Sequence, residues 1–263
     1  MRIGCCAWGL TGNERDALRA LSTLPCSFLD IQSGTYLDRK FSKKKEIYRQ
    51  QLSCIGLSFN MPDQASMDSP NLKKRESALD HIKHSIDYAA KCGIDTTYVI
   101  PGHSCESLPY FNDTLIKAAD LTKEAGIKLC VEHFPQRALP TAKKTIDLIE
   151  ELNHKNIFLL LDLGHLQISK EDPSQVVEAA AERLGYVHLD DNDGKRDLHW
   201  ALCTGVMTLN SLKSFIETLK SNEYTGALSI ELNPKLSAPV KALNESLALI
   251  NIIVDSSYGL KIS

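Results

Sequence analysis

Residues 156–165 read NIFLLLDLGH, an apolar run that ends at Asp162 and is followed three residues later by His165. An apolar run without alternation predicts a strand that is buried on both faces, which is typical of a parallel sheet. Seven other segments also read as short strands, and nearly all of the eight are followed by a helical pattern. The predicted strands are 2–8, 27–32, 53–59, 96–101, 127–132, 156–162, 185–190 and 226–231.

Amphipathic helices are predicted between these strands, at 13–24, 73–92, 111–125, 141–153, 174–184, 209–221 and 239–254. Segment 37–50 is also helical but strongly basic, and we expect it to be a solvated face. Eight strand–helix units in 263 residues, without a linker, predict an α/β fold: a single (β/α)8 TIM barrel domain over residues 1–263. An open doubly wound sheet is the alternative, although GCCAWGLTG at 4–12 lacks the glycine spacing of a dinucleotide site.

The overall charge and the cysteines limit the classes of partner. A net charge of −3 gives no reason to expect a polyanion, so no nucleic-acid partner is expected. The eight cysteines form no CxxC pair, and Met1 runs directly into the first predicted strand. We therefore expect a reducing cytoplasmic location without a signal peptide. No apolar stretch reaches the roughly 18 residues of a membrane span, and a homo-oligomer is compatible with the sequence.

Four predicted strands carry a carboxylate or an imidazole at or near their ends: Glu132, Asp162, His188 and Glu231. The chemistry of a (β/α)8 barrel lies at the carboxyl ends of its strands, and neighbouring strands lie about 4.8 Å apart. Four such side chains can reach one ion, whereas uncompensated carboxylates at a dry edge would repel one another. Three carboxylates and one imidazole predict one divalent metal ion: Mn, Mg, Co or Fe, with Zn possible.

Other polar and aromatic residues are candidates for the same pocket. His133 follows Glu132 directly, so its side chain is expected to face the opposite way and to have a structural or supporting role. Trp8 follows the first strand, where it is either barrel core or a stacking wall for substrate. The residues that we consider for substrate contact are His165, Asp197, His199, Trp8 and Asn60.

The strings VEHFP, LLLDLGHLQIS, YVHLDDNDGKRDLHW and SIELNP resemble the sugar phosphate isomerase/epimerase superfamily, the xylose-isomerase-like TIM barrels that include endonuclease IV. The resemblance covers the whole chain and is strongest from about 127 to 234. It implies that the four residues Glu132, Asp162, His188 and Glu231 bind one divalent metal and that the two glutamates form the catalytic acid/base pair. It also implies substrate contacts from His165 and from Arg196, in the loop after the histidine strand.

The sequence departs from the family pattern at three places. Cys203 replaces the first glycine of the family's HxxxGxG segment. Asn60 and Ile100 stand where endonuclease IV members carry additional histidines, although the pair Asp197-x-His199 matches the third-metal pair of that branch. One metal ion is therefore expected.

The resemblance and the residue chemistry predict a metal-dependent isomerase or epimerase of a small sugar, keto-polyol or sugar acid. A metal on adjacent carbonyl and hydroxyl oxygens stabilises an enediolate, and a carboxylate on each side can move the proton. A dehydratase of a keto-polyol or dehydroshikimate-type acid needs the same groups and stays an alternative. Two further alternatives are an abasic-site endonuclease, which predicts three metals, and a non-catalytic barrel, which predicts none.

Overall fold

Eight parallel strands close into a barrel in chain order, with β8 paired to β1. The structure, a computed structural model, describes residues 1–10, 20, 23–34 and 51–256. Each observed strand overlaps a predicted one, so the predicted (β/α)8 barrel is confirmed. The strands are β1 Arg2–Cys6, β2 Phe28–Gln32, β3 Gln51–Gly56, β4 Thr96–Val99, β5 Lys128–Glu132, β6 Ile157–Asp162, β7 Leu184–Leu189 and β8 Ala227–Ile230.

Seven α-helices surround the described part of the barrel: α1 Leu72–Cys92, α2 Leu108–Glu124, α3 Ala142–Leu152, α4 Leu163–Ser169, α5 Pro173–Ala180, α6 Leu209–Ser221 and α7 Pro239–Ser256. All except α4 match a predicted helix to within three residues at the start. The basic segment 37–50 lies outside the described residues, and so does 13–24 apart from positions 20, 23 and 24.

Helix α1 shows how the local sequence sets these elements. The Asn71 side chain accepts a hydrogen bond from the backbone N–H of Lys73 at the start of the helix. Gly93 ends the helix in the left-handed conformation, with φ of 73°, which glycine adopts at little cost. Between these ends Ile82 and Ile86 are buried against the barrel, and each stabilises the fold by about 1.5–3 kcal/mol.

A packed layer of side chains fills the barrel below its carboxyl end. Its members include Tyr98 on β4, Cys130 on β5, Leu160 on β6 and Tyr186 on β7. Because strand side chains alternate, the next inward position on a strand lies two residues further along. On β5, β6 and β7 that position holds Glu132, Asp162 and His188. The core layer is therefore the floor of the polar site.

None of the helices in the described part of the chain has both the length and the hydrophobicity that a bilayer crossing requires.

Candidate metal centre and active site

Four potential ligand atoms converge at the carboxyl end of the barrel. They belong to Glu132, Asp162, His188 and Glu231, and they all lie within 4.8 Å of one another. The first three side chains are buried and Glu231 is partly exposed. Glu231 lies one residue beyond β8, where its backbone N–H donates to the carbonyl of Leu189 at 3.0 Å. The structure thus brings the four predicted ligands together.

Two of these side chains carry buried polar atoms that a cation would satisfy. Asp162 Oδ1 accepts a 2.8 Å bond from the backbone N–H of His165, but Asp162 Oδ2 has no hydrogen-bond partner among the described residues. His188 Nδ1 has no well-aligned hydrogen bond among the described residues, although it lies 2.8 Å from Glu231 Oε2 and 3.7 Å from Glu132 Oε1. Leaving such an atom unsatisfied costs about 1–3 kcal/mol. A divalent cation would satisfy both atoms, so the donor set fits the predicted metal.

The other ring nitrogen of His188 faces a carboxylate that sequence reasoning missed. Asp30 Oδ2 lies 3.6 Å from His188 Nε2. Asp30 Oδ1 accepts a 2.5 Å hydrogen bond from the hydroxyl of Tyr186, which lies 3.0 Å from Ser53 Oγ. Metal-binding histidines usually have such an outer partner, which orients the ring. A carboxylate in the middle of the buried strand SFLDIQ was the signal that could have identified it.

A second group of polar side chains lies beside the first. His165 donates from Nδ1 to the carbonyl of His133 at 2.8 Å, and its Nε2 lies 3.4 Å from Asp197 Oδ1. Asp197 Oδ1 is also 3.0 Å from His199 Nε2, and His199 Nδ1 forms an ion pair with the buried Asp190. His165, Asp197 and His199 have the spacing of a possible metal group of their own. These three predicted residues are thus brought together next to the four ligands.

The segment LDLGH leads into a short helix, α4, which is not among the helices predicted from the sequence. Asp162 caps this helix, and its backbone N–H donates to His133 Nε2 at 3.2 Å. The backbone of Gly164 packs directly on the Asp190 carboxylate, so that a Cβ atom at this position would overlap it. The glycine therefore serves a close approach of two chain segments.

A cavity of about 330 Å³, a volume suited to a small molecule, is lined by two of the four residues, Glu132 and Glu231. Trp8, Phe59 and Tyr98 form an aromatic wall, with ring centroids 6.2 Å apart for Trp8 and Phe59 and 5.8 Å apart for Phe59 and Tyr98. Trp8 Nε1 donates a 2.8 Å hydrogen bond to Glu231 Oε1. Trp8 therefore lies in the cavity wall and also positions Glu231.

Four of the six predicted contact residues are not in the cavity lining: His165 and Asp197, which belong to the second polar group, and Arg196 and Asn60. Arg196 is mostly exposed, and its Nε donates to Asp193 Oδ2 at 2.8 Å. Asn60 is exposed and donates from Nδ2 to the carbonyl of Ser33 at 2.8 Å. Neither Arg196 nor Asn60 is among the described residues that line the cavity, whereas Ile100 and Arg137 are. Arg137 lies in the loop after β5, and no sequence motif marked it.

Burial and neighbouring charges shift the proton affinities in opposite directions. Burial raises the pKa of Glu132, and burial with the nearby charge of Asp190 raises the pKa of Asp162 to about 7. Burial also acts against ionisation of Glu231, but the charges of His188 and His199 lower its pKa to about 2. For His188, burial opposes the charged form, yet contacts led by Cys6 and Glu231 raise its pKa well above the usual value.

Metal uptake is expected to strengthen as the pH rises. A bound metal must displace the proton from Asp162 below its pKa of about 7, and from His188 over a wider range. As the pH is lowered, the metal affinity should therefore fall by about tenfold per pH unit for each displaced proton, most steeply below pH 7. Calorimetry in two buffers of different ionisation enthalpy counts the released protons. An affinity that stays flat on both sides of pH 7 would contradict this assignment.

The fold and the site together define a (β/α)8 barrel with a carboxylate–histidine centre at its carboxyl end. Residues 18–252 match the family model described as a xylose isomerase-like TIM barrel. The chain belongs to this family, and the resemblance read from the sequence is confirmed.

Curated relatives include enzymes of three kinds. An inosose dehydratase of Clostridium beijerinckii is 24% identical over 213 residues, 73% of this chain and 71% of that protein. An L-ribulose 3-epimerase of Methylomonas sp. is 29% identical over 46% of this chain and 43% of its own length. A putative hydroxypyruvate isomerase of Streptomyces coelicolor is 27% identical over 66% of this chain and 64% of its own length. The chain is thus related to sugar epimerases and isomerases, although two of these matches span less than two thirds of the relative.

Solved structures share the fold. A D-tagatose 3-epimerase-like protein superposes with a TM-score of 0.81 at 22% identity, covering 98% of this chain and 100% of that one. The IolI protein with a bound zinc atom superposes with a TM-score of 0.77 at 16% identity, covering 99% and 100%.

Proposed function

We propose that the chain is a divalent-metal-dependent isomerase or epimerase of a small sugar, keto-polyol or sugar acid. The observation that carries the proposal is the convergence of four ligand atoms within 4.8 Å of one another, at a place where Glu132 and Glu231 also line a cavity of about 330 Å³. Asp162 Oδ2, which has no hydrogen-bond partner among the described residues, supports a cation at this point, as does the approach of His188 Nδ1 to two carboxylates. The kinship with an epimerase and an isomerase supports the reaction class.

In this proposal the two glutamates, Glu132 and Glu231, transfer the proton. A divalent ion held by Glu132, Asp162, His188 and Glu231 would supply Lewis-acid polarisation of adjacent carbonyl and hydroxyl oxygens. Glu132 and Glu231 both line the cavity and come from strands that are three apart. One carboxylate removes a carbon-bound proton, and either the same or the other carboxylate returns a proton. Return to the neighbouring carbon gives an isomer, and return to the other face of the same carbon gives an epimer.

A dehydratase is the second candidate, because the cavity holds a group that can protonate a leaving hydroxyl. His199 lines the cavity, and although burial opposes its charged form, Asp190 raises its pKa. A carboxylate base opposite a protonated imidazole is the pair that elimination of water needs. The inosose dehydratase relative supports the same possibility. The endonuclease alternative finds no such support, since Ile100 occupies the cavity where that branch carries a histidine.

Metal removal is the direct test of this proposal. Elemental analysis of the purified protein should give one divalent ion per chain, and a screen of ketoses, inososes and dehydroshikimate-type keto acids should identify turnover. Dialysis against a chelator should abolish that turnover, and added Mn, Mg, Co or Zn should restore it. A product that is lighter by one water identifies a dehydratase. A product of the same composition as the substrate, apart from the uptake of solvent deuterium, identifies an isomerase or epimerase.

The metal count also separates the other readings. Two ions per chain would indicate that the group of His165, Asp197 and His199 is filled as well. Nicking of abasic DNA would favour the endonuclease. A protein that takes up no divalent ion and turns over none of these compounds would refute the proposal.

A further inference from the structure

Arg137 brings a positive charge to the wall of the cavity, on the same side as Glu132. The loop after β5 folds back so that the backbone N–H of Arg137 donates to the carbonyl of Phe134 at 3.1 Å. Gln136 has a positive φ of 67°, which makes the turn tight. The guanidinium stacks over the Phe134 ring, 4.7 Å from its centroid, and the ring therefore fixes its plane.

This guanidinium makes few polar contacts with the other described residues. Within the described part of the chain, its one hydrogen bond runs from Nη1 to the carbonyl of Pro101 at 3.0 Å. The buried Nε has no hydrogen-bond partner there, and no described carboxylate comes within ion-pair distance. Partial burial lowers the pKa of Arg137, while Glu132 and Asp68 exert an attraction from further away. Arginine carries five N–H donors, so most of its hydrogen-bonding capacity is unused.

We propose that Arg137 binds a carboxylate group of the substrate, so that the substrate is a small sugar acid or keto acid and not a neutral ketose. A planar guanidinium forms paired, charge-assisted hydrogen bonds with a carboxylate, and stacking on an aromatic ring pre-organises it for this contact. This inference rests on the proposed function, which puts the reacting carbons of the substrate near the four ligands. The preference for an anion can nevertheless be measured by binding alone, without turnover.

The cavity supports one anionic group at this side. The other described polar side chains that line the cavity include the carboxylates of Glu132 and Glu231. These carboxylates repel an anion unless a metal ion compensates their charge. Tyr98, Ile100 and Phe134 line the same cavity, and such apolar surroundings strengthen a charged hydrogen bond. A carboxylate on Arg137 would therefore leave the remaining substrate oxygens facing the four ligands.

The test compares acid and polyol partners of equal length. Dissociation constants of D-gluconate against D-glucitol, and of D-glycerate against glycerol, are measured by titration calorimetry with and without Mn²⁺. The variants are Arg137→Gln, Arg137→Lys and the control Arg183→Gln. Arg183 also donates from Nη1 to a backbone carbonyl, His154 O at 3.1 Å, and lies over the Phe158 ring, but it precedes β7 at the opposite end of the barrel.

The wild-type protein should bind one acid at least tenfold more tightly than its polyol. Arg137→Gln should weaken the binding of that acid by about ten- to a hundredfold, which corresponds to the usual strength of a charged hydrogen bond. The binding of the polyol should not change. Arg137→Lys should retain part of the preference, and Arg183→Gln all of it. Thermal unfolding checks that each variant is folded.

Each contrary result has its own meaning. No acid preference in the wild-type protein, or an undiminished preference in Arg137→Gln, overturns the inference. Because a carboxylate can also bind a metal ion, the series is repeated in Asp162→Asn. If the acid preference disappears in Asp162→Asn and survives in Arg137→Gln, the anion binds the metal, and the inference about Arg137 is overturned. A preference that depends on Arg137 in a protein that takes up no metal would refute the proposed function alone.

Discussion

Glu231→Gln is expected to abolish turnover of the substrate identified by the screen, while the fold stays intact. Glutamine has nearly the same shape and can accept the 2.8 Å hydrogen bond from Trp8 Nε1, but it cannot take a proton from carbon. A positioned acid/base group typically contributes 10²–10⁴-fold in rate, so kcat should fall by about that factor. Steady-state kinetics with saturating metal measure this loss.

The control for this variant is a glutamate away from the site. Glu245 lies on α7, is mostly exposed and faces Lys241 at 3.8 Å, so Glu245→Gln should leave kcat unchanged. The metal content of Glu231→Gln is measured in parallel, because Glu231 is also a proposed ligand. Turnover at the wild-type rate in this variant would remove Glu231 from the mechanism.

Asp162→Asn is expected to lower the affinity for the divalent ion by at least about a hundredfold, because changes even to outer partners of a metal site often cost 10–100-fold. Asparagine keeps an oxygen that can accept the bond from the His165 backbone, so α4 should remain capped. What disappears is the negative charge on the buried carboxylate, whose Oδ2 has no hydrogen-bond partner among the described residues. Titration with Mn²⁺ or Zn²⁺ measures the affinity.

Asp172 provides the matched control. It caps α5 in the same manner, accepting from the backbone N–H groups of Ser174 and Gln175 at 2.9 and 3.0 Å. Asp172→Asn should therefore leave the metal affinity unchanged. An unaltered affinity in Asp162→Asn as well would show that the ion, if any, binds elsewhere.

The barrel and its four converging side chains follow from local sequence patterns. Apolar runs mark strands that are buried on both faces, and their order along the chain suffices to place Glu132, Asp162 and His188 at one edge. Strand ends are less well determined by such patterns. The prediction for β1 ran to position 8, but Ala7–Gly9 form a 3-10 turn that directs Trp8 into the cavity.

Features that depend on contacts between distant segments were not predictable in this way. Helix α4 forms because Asp162 caps it and because Gly164 packs on Asp190, whereas a glycine at this point suggests a turn when it is read locally. Arg137 reaches the cavity through a turn stabilised by loop contacts, including Ala138 N–H to the carbonyl of Gly102 at 2.9 Å. Neither contact leaves a periodic pattern in the sequence.

The hydrogen bond between Trp8 and Glu231 spans the seam where the first strand meets the last. One donor thus joins the two ends of the closed sheet at the carboxylate that we propose as a base. Indole emission responds to the charge of a neighbouring group, and the chain contains just two tryptophans. Trp8 is consequently a built-in optical reporter, whose fluorescence would register both closure of the sheet and the electrostatic state of Glu231 without an added label.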